Sequence, residues 1–193
     1  NAPIKSIYQT KIETYIYIMV DSNVMNLQPS SFHSLSGKWT LWAHLPHDTD
    51  WSIDSYKNID TFEEVEHGIA LCETIPERMV KNCMLFLMKQ GIKPIWEDPS
   101  NRTGGCFSFK ISNKNVHETW KKLFYTLIGD TLSEDKEHLN TINGITISPK
   151  KNFCIIKIWL SSCKRQNPEL LNIKSIKGMS TQGCLFKKHL PEF

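Results

Sequence analysis

Two tryptophans stand where packing alone would not place them. Trp51 follows the polar run Pro46-His47-Asp48-Thr49-Asp50, and Trp96 lies between Pro94-Ile95 and Glu97-Asp98. A buried Trp normally has apolar neighbours, because its value to a fold is the area it removes from water. Two aromatic planes carried on loops can instead clamp one planar base, and stacking contributes roughly 1–3 kcal/mol per base. A positive charge on that base adds cation–π attraction of about 2 kcal/mol in a desolvated slot. Glu97 adjoins Trp96, so a ring and a carboxylate can converge on one ligand. An ionised carboxylate accepts both the N1–H and the exocyclic amine of a guanine edge. Methylation at N7 makes guanine cationic and its N1–H more acidic, so Trp51, Trp96 and Glu97 point together to 7-methylguanine. A phosphate tail on such a ligand requires cations. Lys150, Lys151 and Lys157 are the candidates, and Lys157 shares a strand face with Trp159 at period two.

The elements that must carry these residues follow from pattern. Lys38-Trp39-Thr40-Leu41-Trp42-Ala43-His44-Leu45 predicts an aromatic strand. Thr61-Phe62-Glu63-Glu64 has the spacing of a capping box, with Phe62, Val65, Ile69 and Cys72 behind it on one helical face. Met84 to Met88 predicts a buried strand, and residues 90–105 a long loop ending at Gly104-Gly105. Cys106 to Ile111 predicts another strand. Val116, Trp120, Leu123, Phe124 and Leu127 predict a helix from near Asn113 that stops at Gly129. Ile142–Ile147 and Phe153–Leu160 predict a hairpin with a basic tip. Asn167-Pro168-Glu169 predicts the start of a third helix, and Lys187-Lys188 a terminal strand or loop. Tyr15 to Val20 is a strand candidate inside a divergent N-terminal extension, residues 1–30, with the main domain at 31–193. Strands interrupted by about three helices, without βαβ alternation, predict an α+β fold: an antiparallel sheet covered by helices on one face. The other face is then open to a ligand.

Composition narrows the classes. The chain has 193 residues, a net charge of +3 and 40% hydrophobic residues, which excludes a histone-like polycation and wholesale disorder. Six cysteines occur with no C-x-x-C pair, so neither a zinc finger nor a disulfide framework is indicated. No metal or cofactor is expected. Free thiols and the lack of a membrane-length apolar run suit a reducing compartment, with the cytoplasm the expected location.

The strings Trp39-Thr40-Leu41-Trp42, Gly91-Ile92-Lys93-Pro94-Ile95-Trp96-Glu97-Asp98, Gly104-Gly105, Leu127-Ile128-Gly129 and Ile156-Lys157-Ile158-Trp159 resemble the translation initiation factor 4E family of mRNA cap-binding proteins. Their order holds from about residue 33 to residue 165. The resemblance implies a cupped antiparallel sheet, helices on its convex face and the ligand slot on its concave face. It puts the cap base between Trp51 and Trp96, the base-reading carboxylate at Glu97 and the ring beside the N7-methyl at Trp159. It implies capped mRNA as ligand, a monomer, a role in translation initiation and a scaffold protein on the dorsal face.

The chain departs from the family pattern in two places. Ile155 falls where a phosphate-binding lysine is usual, and Ser148 or Lys150 where an arginine is usual; Lys150, Lys151 or Lys157 would compensate. On the dorsal face the family's D-T-V-E-D-F-W string is Asp60-Thr61-Phe62-Glu63-Glu64-Val65-Glu66, with Glu66 for the Trp, and its His-Pro-Leu is His33-Ser34-Leu35. His33, Leu35, Phe62 and Glu66 therefore form an altered docking patch, as a divergent or viral member would carry, where a charge opposes the usual partner helix.

Blander readings stand beside these. Trp39, Trp42 and Trp120 fit a core, Trp159 fits either role, a loop Trp such as Trp51 can cover a core edge, and the seven histidines read as surface residues. The cysteines read as small buried hydrophobes. An enzyme built on Cys106 with His117 or His138 as base lacks a paired acid, and no catalytic residue is expected. A cap-occupying repressor, or a scaffold that has lost cap binding, are the other outcomes the fold permits.

Overall fold

The computed structural model describes residues 32–46 and 48–189. The strand expected at Tyr15–Val20 lies outside them, as does the whole extension at 1–30.

Among the described residues seven strands form one antiparallel sheet. They are β1 (Ser34–His44), β2 (Tyr56–Glu64), β3 (Met84–Lys89), β4 (Gly105–Ser112), β5 (Ile142–Pro149), β6 (Phe153–Leu160) and β7 (Leu185–Lys188), in spatial order β2-β1-β3-β5-β6-β4-β7. The helices are α1 (Val65–Thr74), α2 (Glu77–Asn82), the single turn α3 (Pro99–Arg102), α4 (Val116–Ile128) and α5 (Lys136–Thr141). Strand alternation sends Leu41, Leu87, Ile145, Ile158 and Phe107 to the convex side. Trp120, Leu123, Phe124 and Leu127 of α4 meet them there, and all nine are at most 1% exposed. Each such side chain contributes about 1.5–3 kcal/mol of apolar burial, so α4 is held by packing.

Several local expectations change. The capping box at Thr61–Glu64 is not one: β2 runs through Glu64, Phe62 pairs with Trp39, and the Thr61 hydroxyl meets that of Thr40 at 3.0 Å. Burial of Phe62 at 2% exposure gains more from a strand than a cap would. The helix proper starts at Val65 and buries Gly68, Leu71 and Cys72, leaving Ile69 exposed. Asn167-Pro168-Glu169 opens only a 3-10 turn, Pro168–Leu170, although Asn167 does accept from the Glu169 N–H. Gly129 ends α4 as expected, yet it is Asp130 that takes the left-handed backbone (φ 54°). Trp39 and Trp120 are core; Trp42 faces the concave side. His44 and His138 are buried rather than superficial, at 2% and 0% exposure.

Gly104 is required by close approach. A Cβ there would lie 1.7 Å from the Leu160 carbonyl oxygen, so the turn into β4 admits no side chain.

Candidate functional site

The strand registers set out the concave face as rows. One row reads Thr40, Met88, Gly144, Trp159, Cys106 and Lys187 across β1, β3, β5, β6, β4 and β7. The next reads Trp42, Phe86, Thr146, Lys157, Ser108 and Leu185. A third holds His44 and Met84 at one end and Ser148, Ile155 and Lys110 at the other. Phe86, Met88 and Trp159 form an apolar cluster of their own, flanked by Trp42, Tyr56, Met84 and Ile92 and separate from the convex core. A soluble sheet face with its own aromatic floor is suited to holding a flat ligand.

Trp51 stands at the corner of this floor. Its ring stacks on His44 at 4.3 Å between centroids and 2° between planes, and remains 57% exposed. His44 is fixed in turn: Nε2 lies 2.8 Å from the Asp50 carbonyl, so it donates there and the ring cannot swing. The Asp50 carboxylate accepts from the Ser52 N–H and hydroxyl, and Asp48 accepts from the Asp50 N–H. These bonds to Ser52 hold the Asp50 carboxyl below its usual range. One face of Trp51 is thus backed by a ring, and its exposed side is turned to solvent.

The second loop is built as firmly. Asp98 is only 7% exposed; its carboxylate accepts from the N–H groups of Lys93 (2.9 Å) and Ser100 (2.8 Å), capping α3. Asn101, wholly buried, donates to the carbonyls of Lys93 and Ile95 and accepts from the Asn143 amide at 2.9 Å. Trp96 and Glu97 sit between these anchors, both exposed, Trp96 at 42%. Tyr56 links the loops. Its ring meets His44 at 5.1 Å and Phe86 at 5.3 Å, and its hydroxyl is raised above the usual phenol range by burial and then by the negative charge of Glu97. Trp51, His44 and Tyr56 thus form one run of ring contacts, at whose far end the Tyr56 hydroxyl feels the charge of Glu97.

Trp159 is 7% exposed and packs against His189 at 4.7 Å. His189 donates from Nδ1 to the Asn101 carbonyl at 2.7 Å, so β7 and the residue after it buttress both the floor and the Trp96 loop. Burial lowers the His189 pKa below that of an ordinary imidazole.

The cations divide. Lys157 lies in the middle row, half-buried, and Lys187 faces Cys106 across β4 and β7. Both lower the Cys106 thiol against the larger raising effect of burial. Lys150 and Lys151 are exposed on the β5–β6 turn, about 13 Å further along the strand than Lys157. The structure does not bring them together with it. Ser148 and Ile155 face each other as a pair without charge.

Cys106 has no base. It faces the concave side, 3.9 Å from the Ser108 hydroxyl, whereas the His138 ring contacts Phe107 on the convex side. On the dorsal face the Glu66 carboxylate is taken up by His33, accepting from its N–H at 2.9 Å and meeting its Nδ1 at 2.6 Å, which holds the carboxyl at about 2. Phe62 is core, and Leu35 packs against the core edge. Sequence reasoning missed His44, Tyr56, Asn101, Lys187 and His189. A period-two reading of β1 could have put His44 on the face of Trp42; nothing local marks Asn101 or His189.

Among the described residues no group of three or more His, Cys, Asp or Glu could hold a metal ion, and no helix is long and apolar enough to cross a membrane. Comparison with known proteins places this geometry. The chain is 31% identical over 141 residues to eukaryotic translation initiation factor 4E of Candida albicans, covering 68% of this chain and 66% of that protein, just under two thirds of its length. It is 40% identical over 63 residues, 33% of this chain and 23% of that protein, to a 4E homolog of Acanthamoeba polyphaga mimivirus. A crystal structure of a schistosome 4E complexed with m7GpppA and 4E-BP superposes with a TM-score of 0.64 at 25% identity, covering 72% of this chain and 77% of that one. The family model for eukaryotic initiation factor 4E matches residues 34–189, which span every described strand and both tryptophan loops, and the chain belongs to that family.

Proposed function

We propose that this chain binds the 7-methylguanosine cap of mRNA, without altering it chemically, and acts in translation initiation in the cytoplasm. The base lies between Trp51 and Trp96, Glu97 accepts from the guanine N1–H and amine, and Trp159 walls the side of the methyl group. Lys157 and Lys187 take the triphosphate. The observation that carries this reading is the linked corner of the concave face: Trp51 backed by His44, His44 touching Tyr56, and Tyr56 within electrostatic reach of Glu97. The likeness to a schistosome protein whose structure holds m7GpppA supports it. Stacking on two faces and cation–π attraction reinforce each other only when the base is charged. The test is tryptophan fluorescence under titration with 7-methyl-GTP and, separately, GTP. Strong quenching by the methylated ligand alone is expected; equal or absent quenching removes the clamp.

A partner protein docks on the dorsal face in an altered way. Glu66 bound to His33, and Glu73 bound to Lys121 and Tyr125, give that face ion pairs where an apolar helix would need a dry pocket. A 4E-BP peptide is expected to bind wild type weakly and Glu66→Trp more tightly in calorimetry.

A further inference from the structure

The concave half-sheet beyond the slot is basic without relief. β4, β5, β6 and β7 together contain not one Asp or Glu, and Lys110, Lys157 and Lys187 stand in their concave rows. The β5–β6 turn adds Lys150 and Lys151. Among the described residues, none of Lys110, Lys150, Lys151, Lys157 and Lys187 forms a salt bridge, whereas five other lysines and Arg165 do. The described acidic residues all lie on other elements and loops. A surface that keeps its cations unpaired attracts a polyanion.

The cations also have an order. Lys187 and Lys157 occupy successive rows beside Trp159. Lys110 lies one row further on, opposite Ile155, and its Nζ sits over the Phe153 ring at 4.5 Å from the centroid. Lys150 and Lys151 follow on the turn, with the Lys150 N–H closing it onto the Phe153 carbonyl at 2.8 Å. From Lys157 to Phe153 is about 13 Å of extended strand. Leu185, 70% exposed, shares the row of Lys157, and Ile155 shares the row of Lys110, so apolar side chains alternate with the cations along the track. A basic groove interleaved with apolar and aromatic groups is the composition that holds single-stranded nucleic acid without reading its sequence.

We propose that this track binds the RNA strand beyond the cap, with Lys110, Lys150 and Lys151 contacting backbone phosphates downstream of the triphosphate and Phe153 offering an apolar edge to a base. The inference rests on the cap reading above and assigns the turn lysines to the RNA body rather than to the triphosphate. Continuity with the slot favours RNA over an acidic peptide, because the track begins where the cap's phosphates leave Lys157.

The experiment compares 7-methyl-GTP, a short capped oligonucleotide, the same oligonucleotide uncapped, and polyglutamate. The proteins are wild type and the triple variant Lys110→Ala, Lys150→Ala, Lys151→Ala, with circular dichroism to show that the variant is folded. All three side chains are exposed, so the fold is expected to persist. Wild type should bind the capped oligonucleotide more tightly than 7-methyl-GTP. The variant should lose roughly tenfold for the capped oligonucleotide at low salt and shed about 0.7 in log–log salt slope per contact removed. Its affinity for 7-methyl-GTP should be unchanged. Equal losses for both capped ligands would return these lysines to the triphosphate and overturn the track. So would an oligonucleotide affinity indifferent to the three substitutions, or polyglutamate binding as tightly with the same lysine dependence. If 7-methyl-GTP fails to quench wild type, the cap reading falls by itself; the uncapped oligonucleotide then still tests the track, through the salt slope lost in the variant.

Discussion

His44 decides how well Trp51 is placed. A solvent-exposed Trp samples several rotamers, and freezing it on binding costs about 0.5–1.5 kcal/mol. Stacked at 4.3 Å on a ring that is itself hydrogen-bonded, Trp51 has lost that freedom beforehand. His44→Ala is therefore expected to weaken 7-methyl-GTP binding several-fold while His44→Phe restores most of it; matched affinities for His44→Ala and wild type would detach the stack from the site. Trp51→Ala and Trp96→Ala should each remove most of the affinity, since half a clamp stacks one face only. Glu97→Gln should lower the preference for guanine over adenine in competition titrations, because the amide has one acceptor where the carboxylate has two oxygens. Glu66 gives a pH signature of a different kind. His33 holds its folded value at about 2 against an ordinary 4.5. A depressed carboxyl contributes stability that is complete above the ordinary value and lost as pH falls towards the folded one. The urea midpoint of wild type should thus exceed that of Glu66→Gln at neutral pH, and the gap should close between about pH 5 and pH 2.

The elements were unevenly legible in the sequence. β3, β6 and α4 show because their apolar patterns are unbroken and most of the apolar residues in them are buried. The helix start at Thr61 misled because a strand ending in Glu63-Glu64 has the same letters as a capping box, and only pairing with Trp39 and Thr40 tells them apart. The Trp96 loop was legible as a string but not as a mechanism. Its rigidity depends on Asn101 and Asn143, which are 42 residues apart, and on His189, beyond the reach of any local pattern. Asn101→Ala would leave the Lys93 carbonyl without its donor, at about 1–3 kcal/mol for the unpaired group, and would take one bond each from the Ile95 carbonyl and the Asn143 amide, which keep the Asp98 N–H and the Ser100 carbonyl. Both the urea midpoint and the affinity for 7-methyl-GTP should fall. Unchanged cap affinity in a destabilised Asn101→Ala would show that the loop holds its shape by other means. Lys157 was visible at period two from Trp159, while Lys187 needed the pairing of β7 with β4, a contact no sequence interval announces.

At the scale of the whole molecule, charge and redox chemistry are partitioned by the sheet. Strands β4 to β7 contain lysines and no Asp or Glu, so a net charge of +3 hides a local basic surface. The thiols are likewise sorted: burial pushes Cys72 and Cys83 up to about 12 and Cys184 to about 11. Cys72 and Cys83 should resist a thiol-specific reagent at pH 8 until the domain unfolds, and labelling of folded protein at either would refute their burial. The tie between His189 and Asn101 has a consequence in time. It joins residues 88 apart in sequence, and the ring that closes it also supports Trp159. On a translating ribosome the first tryptophan loop and the sheet's central strands emerge well before β7. Until residue 189 has left the exit tunnel, the floor of the slot and the loop beside it lack their common brace. A nascent chain can thus acquire its core while still unable to hold its ligand, and competence arrives as a late, single event set by the rate of synthesis.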